Sequence, residues 1–339
     1  MGRFFTIIVF LWVLFGVSAI LFSSCGGSTN SPAAHDNGAQ NVGSQVGDLI
    51  SNLTVRSDET IEDDENAPDR DNSPRVLENS ADGEDVCDGN GAAIDYSNVS
   101  DGYIMAKYEG DNPKIKIQIT KDGGPTYTYD VAGNEGFLGF PLSDGSGNYA
   151  VAMYLNIDGD RYSQACAQMF TADIHDEFSP FLRPNQYSNY NSATRAVAKS
   201  VELAQGAKSD LKVIEKVFLY ITDNVSYDYH LAETVEPGYI PDVDRTLDSG
   251  KGICFDYASL MTCMLRSQGI PCKLVVGHAG TAYHAWISVY VNGIGWVANM
   301  IQFNADTWTL MDPTFAAGGD TADPNLVGDG ENYNPVYHY

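Results

Sequence analysis

The sequence predicts an α+β chain with two folded parts, and three observations carry that reading. Between residues 94 and 170, short runs alternate apolar and polar side chains, the period of half-buried strands. From residue 193 onward, apolar residues recur at helical spacing instead. After "DSGKGIC" a further apolar helix gives way to strand-like runs ending at "WTLMDPTF". A chain of 339 residues with 43% hydrophobic and 11% aromatic content is long and apolar enough for two ordinary cores.

The amino terminus reads as an export signal. Arg3 is its basic end, and an uncharged, mostly apolar run extends from Phe4 to Phe22. It stops at "LFSSCGGS", where Ser23 and Ser24 precede Cys25 and two glycines follow. That ending resembles the lipobox of bacterial lipoproteins, with Phe22 where the motif usually has leucine. The resemblance implies that residues 1–24 are removed, that Cys25 is lipidated, and that the chain is tethered to the membrane outside the cytoplasm. An uncleaved anchor is the alternative, because the run is just long enough to span a bilayer; an ordinary cleaved signal is another.

Residues 25–92 are dominated by Ser, Gly, Asn, Asp and Glu and show no sustained apolar period. Such a stretch buries too little surface to offset chain entropy, which predicts a disordered, self-repelling acidic tether. Between Arg56 and Asp88, 13 acidic residues face three arginines, and the whole chain carries a formal charge of −26. Nucleic acid is thereby excluded as a partner, since its affinity rests on Lys and Arg contacts to phosphate.

A small antiparallel β-sandwich is expected over residues 93–172. In "KIKIQIT", Ile115, Ile117 and Ile119 alternate with Lys114, Lys116 and Gln118, while "KDGGPT" and "SDGSGN" supply turns. Cys87 and Cys166 bracket this part, so a disulfide tying its ends is a candidate pairing. In an exported chain the arithmetic matters. Six cysteines less a lipidated Cys25 leave an odd number, and one thiol remains unpaired.

The second folded part spans 173–339. Ala193, Ala196, Val197, Val201 and Ala204 lie on one face of a first predicted helix. Leu211, Ile214, Val217, Phe218 and Ile221 mark a second, capped by Ser209 or Asp210. A third runs from about Phe255 to Gln268, closed by Gly269, and Pro271 forces the break before the strand "CKLVVGHA". Cys254 then stands at a helix N-terminus, where unpaired N–H groups and the macrodipole favour a thiolate. A thiolate nucleophile needs a base and an orienter for that base. His284 begins a later strand, with Trp286, Ser288 and Tyr290 on its side by alternation, and Asp312 ends a further one before Pro313. A carboxylate there can accept the second imidazole N–H and fix the tautomer. Cys254, Cys263 and Cys272 lack the paired spacings of structural zinc, so neither metal nor cofactor is expected.

The runs "GKGICFDYASLMTCMLRSQGIPCKLVVG", "HAWISVYVNGIGW" and "MDPTF", with "NVSYDY" and "PDVDRTLDSG" upstream, resemble the transglutaminase-like superfamily of papain-type cysteine enzymes. The resemblance covers roughly 193–315. It implies a papain-like, transglutaminase-like catalytic domain with Cys254 as nucleophile, His284 as base and Asp312 as orienter. The backbone N–H of Cys254 is the natural first oxyanion donor. Tyr227, Tyr239 and Trp286 are candidates for a second donor or for substrate contact.

The expected activity is acyl transfer on amide bonds of a protein or peptide, cell-wall peptide included, through an S-acyl enzyme. Water would make the chain a peptidase or amidase, and an amine would make it a transamidase. A non-catalytic cell-surface binding protein that retains the fold is the alternative.

Overall fold

The computed structural model describes residues 68–279, 282–292, 295–298, 300–304, 307–310 and 333–339. The expected signal run, Cys25 and Asp312 lie outside the described residues. Among the described residues, no helix is long and apolar enough to cross a membrane.

The first part is built from β1 (Val86–Gly89), β2 (Ala92–Asp95), β3 (Tyr103–Tyr108), β4 (Ile115–Lys121), β5 (Thr126–Val131), β6 (Leu138–Pro141), β7 (Gly147–Asp158) and β8 (Arg161–Ala172). They form two four-stranded antiparallel sheets, in the orders β1-β2-β3-β6 and β5-β4-β7-β8. Alternation on β4 sends Ile115, Ile117 and Ile119 inward, where Ile117 sits between Tyr129 and Met153 on its neighbours. Each such isoleucine contributes about 1.5–3 kcal/mol by leaving water. A charge at Ile117 would break the sheet's inner face.

Residues 68–92 correct the expectation of a disordered tether. Arg70 Nε donates to Asp210 Oδ1 at 2.6 Å, the Arg75 N–H to the Ser267 carbonyl at 2.7 Å, and the Asn79 amide to the Pro184 carbonyl at 2.9 Å. Residues 86–89 then become β1. Composition measures how much apolar surface a segment can bury by itself. Here the order comes from polar groups finding partners on the second folded part.

That part begins with α1 (Arg195–Ala204) and α2 (Asp210–Asn224). Ser209 caps α2 by accepting from the Lys212 N–H, and the expected stripe from Leu211 to Ile221 is buried. On α1 the stripe is shifted. Ala193 lies exposed before the helix, and Ser200 takes a buried place by donating to the Met264 carbonyl at 2.7 Å. After β9 (Ser226–Tyr227), α3 (Tyr229–Thr234), α4 (Val243–Ser249) and β10 (Lys251–Gly252), the chain enters α5 (Cys254–Arg266).

Every residue of α5 except Phe255 is buried, so this helix is the core of the domain rather than its cover. It packs on α1, α2 and α4 on one side and on β11 (Cys272–Ala279) and β12 (Ala282–Val291) on the other. β13 (Gly295–Ala298) and β16 (Tyr333–His338) complete an antiparallel sheet ordered β13-β12-β11-β16. β14 (Met300–Asn304) and β15 (Thr307–Leu310) form a separate antiparallel pair. At the far end of α5, the fully buried Arg266 donates to the carbonyls of Cys272, Arg183 and Tyr339 at 2.8, 2.6 and 2.6 Å. Burial lowers its pKa.

Candidate active site

Cys254 opens α5 and is 5% exposed. As the first helical residue, its N–H has no acceptor within the helix, so the thiol sits where backbone donors and the dipole favour negative charge. Two local devices fix this start. β10 pairs in parallel with β9, and the Asp228 N–H donates to the Gly252 carbonyl at 2.9 Å. Gly252 then lies so close to the helix that a Cβ there would stand 2.5 Å from Asp256 Cβ, which no side chain allows. Gly250 turns the chain into β10 with φ +58°, a left-handed conformation that suits glycine.

The second device is Asp256, buried two residues after Cys254. Its Oδ2 accepts the Ile253 N–H at 2.9 Å, and its Oδ1 accepts the Tyr239 hydroxyl at 2.7 Å. Arg245 lies 3.6 Å from the same carboxylate, donates to the Tyr239 oxygen and stacks its guanidinium over that ring. Burial raises the Asp256 pKa, while the Ile253 N–H, the Tyr239 hydroxyl and Arg245 pull it back. Sequence reasoning missed this network. Its signal was the acidic residue three positions after Ile253 in "ICFD", the spacing of an N-terminal cap.

β12 brings His284 to the same end of the domain as Cys254. Burial, then Tyr337, then the Cys254 thiol push the Tyr283 phenol up to about 12, so the thiol stands within electrostatic reach of the residue beside His284. Further along the helix, Thr262 Oγ1 is 3.6 Å from Cys272 Sγ, and Cys272 is paired with Val289 of β12. Helix and strand therefore run in the same direction, with Cys254 and the start of β12 together. His284 is 7% exposed and pairs across to Gly277. Ala285, Ile287 and Val289 join the core that α5 enters, and His284, Trp286 and Ser288 alternate with them.

Two candidate contacts have partners within the fold. Tyr239 donates its proton to Asp256, so the phenol braces the helix start instead of facing an oxyanion. Trp286 is 2% exposed and serves as a ring platform within the domain. Its ring stacks against His284 with centroids 6.1 Å apart, meets Tyr333 edge-on at 5.0 Å, and covers Gly277, where a Cβ would lie 2.8 Å from it. Tyr227 is partly buried against the core and in edge contact with Tyr229 at 5.0 Å.

Two further thiols lie on the same helix and the strand after it. Cys263 and Cys272 are fully buried free thiols, and burial pushes Cys263 up and Cys272 up to about 11. Both act as small core residues. His278 is exposed, in edge contact with the Tyr283 ring at 5.5 Å.

A thiol at a buried helix start, with a histidine near the start of a strand packed on that helix, defines a cysteine-enzyme type of arrangement. Residues 196–299 match the family model of the transglutaminase-like superfamily, and this part of the chain is a transglutaminase-like domain. The kyphoscoliosis peptidase of Mus musculus is 28% identical over 129 residues, which is 34% of this chain and 17% of the relative. Its Homo sapiens counterpart is 27% identical over the same length and shares. The chain thus spans about one sixth of these curated relatives (17%). A provisionally assigned cysteine protease from Cytophaga hutchinsonii overlaps with a TM-score of 0.35 at 14% identity, over 70% of this chain and 83% of that one. Red sea bream transglutaminase overlaps with a TM-score of 0.28 at 12% identity, over 66% and 49%. The assignment of the domain rests on residues 196–299.

Proposed function

We propose that the chain is an extracytoplasmic, lipid-anchored cysteine enzyme that transfers the acyl group of protein or peptide amides, with Cys254, His284 and Asp312 as its triad. One observation carries the reading: the family match over residues 196–299 runs across both Cys254 and His284. Asp312 and the anchor at Cys25 enter from the sequence resemblances alone.

In this reading His284 takes the thiol proton, and the sulfur adds to the amide carbon. The developing oxyanion meets the Cys254 N–H at the helix start. The C–N bond then breaks, and the amine leaves with the proton held by His284, so a thioester remains on Cys254. Water or an acceptor amine attacks next, gives its proton to His284, and frees the acid or the new amide as the thiol is regenerated.

The test is incubation of the full chain with a casein-type protein, with and without a labelled amine, read by mass spectrometry. Cleavage or amine incorporation that disappears in Cys254→Ala supports the proposal; product formation undiminished in that variant overturns it. A non-catalytic surface-binding role is the second reading, and the 5% exposure of the thiol is the observation on its side.

A further inference from the structure

The first and last strands of the sandwich carry a second pair of thiols. Cys87 lies on β1, and Cys166 lies on β8 of the opposite sheet. β1 crosses β8 closely: a Cβ on Gly89 would stand 2.7 Å from the Ala165 carbonyl and 3.8 Å from Cys166 Cβ. The Cys87 sulfur lies 3.4 Å from the carbonyl oxygen of Ala167, the residue that follows Cys166 on β8. Cys87 is partly exposed and Cys166 is buried. β1 itself is a four-residue edge strand, paired on one side only, and its side chains are half-exposed or exposed throughout. Short edges of this kind fray unless something ties them down.

We propose that Cys87 and Cys166 are an oxidation site, at which a disulfide staples β1 to β8 and closes the sandwich. The oxidant is a disulfide of a small thiol or of a thiol–disulfide oxidoreductase. The accessible Cys87 attacks one of its sulfurs as the thiolate, forming a mixed disulfide and releasing one reduced thiol. The Cys166 sulfur then displaces the second, so the new S–S bond forms while two electrons and two protons pass to the oxidant. Burial, with Cys87 alongside, pushes the Cys166 thiol up to about 12, which assigns it the resolving rather than the attacking role. The bond closes a segment of about 80 residues, long enough for a large stabilising effect. It is independent of the chemistry at Cys254, and it adds a covalent tie to the contacts that Arg70, Arg75 and Asn79 already make with the second folded part.

The experiment treats the full chain with oxidised glutathione, alkylates it under denaturing, non-reducing conditions and maps the peptides. The expected product is a Cys87–Cys166 linked peptide, about 2 Da lighter than the two thiol peptides together, with Cys254, Cys263 and Cys272 alkylated. Thermal melting of the sandwich is expected to fall by roughly 10 °C on reduction, and Cys87→Ser to melt like the reduced chain. Full alkylation of both cysteines, a persistent glutathione adduct on Cys87, or linkage of either to another cysteine overturns the proposal. So does identical melting of oxidised and reduced chains. If Cys87→Ser fails to fold, the peptide map of the unaltered chain decides alone.

Discussion

Tyr239 and Asp256 meet at 2.7 Å, the phenol donating to a carboxylate buried two residues beyond Cys254. With Arg245 and the Ile253 N–H, this contact holds the turn that delivers the thiol. Tyr239→Phe leaves the buried carboxylate one donor short, at a cost of roughly 1–3 kcal/mol in denaturant unfolding. Arg245 is half-exposed, so Arg245→Ala should cost less than about 1 kcal/mol. Equal losses for the two variants would contradict the network as drawn.

Asp256 also sets a pH dependence. Its folded pKa is raised above the ordinary 3.8 by burial, so the folded state holds its proton more tightly than the unfolded chain. The associated stability is fully present below about 3.8 and is lost as pH rises through the folded value. Compared with Asp256→Asn, the unaltered chain should therefore lose relative stability as pH rises from about 3.8. Chemical denaturation of both across pH 3 to 7, roughly the carboxylate range, measures this; parallel curves would count against it.

Gly252 allows no side chain. Its Cβ would fall 2.5 Å from Asp256 Cβ, the root of a side chain held on the helix rather than a flexible tip. Gly252→Ala is expected to cost roughly 1–3 kcal/mol through overpacking and to slow Cys254 chemistry on the order of tenfold by moving the helix start. An unchanged melting temperature and reactivity would refute the close approach.

Arg266 anchors the other end of α5. Arg266→Met keeps most of the volume but leaves three carbonyls, of Cys272, Arg183 and Tyr339, without their donor. The expected loss is about 3 kcal/mol or more. A neutral result by urea unfolding would mean that water replaces the guanidinium.

Much of this arrangement was legible from the residues. The periodicity of Leu211 to Ile221 and the cap at Ser209 gave α2, alternation around Ile117 gave β4, and "CKLVVGHA" became β11. Helical stripes and strand alternation depend on burial along one element, which sequence records directly. The order of residues 68–92 did not show, because it comes from Arg70, Arg75 and Asn79 meeting distant partners, such as Asp210, 140 residues from Arg70, and Pro184, 105 residues from Asn79. The same holds for Tyr239, whose hydroxyl is taken by Asp256, 17 residues further along the chain. At the site, "GIC" and "HAW" drew attention to Cys254 and His284, while the brace at Arg245 and the ring platform of Trp286 needed three dimensions.

The central claim is that His284 activates Cys254, and the alkylation rate of that thiol tests it most directly. With iodoacetamide at pH 6, the account predicts labelling of Cys254 on the order of tenfold or more faster than free cysteine. In a folded His284→Ala variant the rate should fall to that of free cysteine or below. Labelling that is no faster than free cysteine, or that is unchanged by the loss of His284, would contradict it.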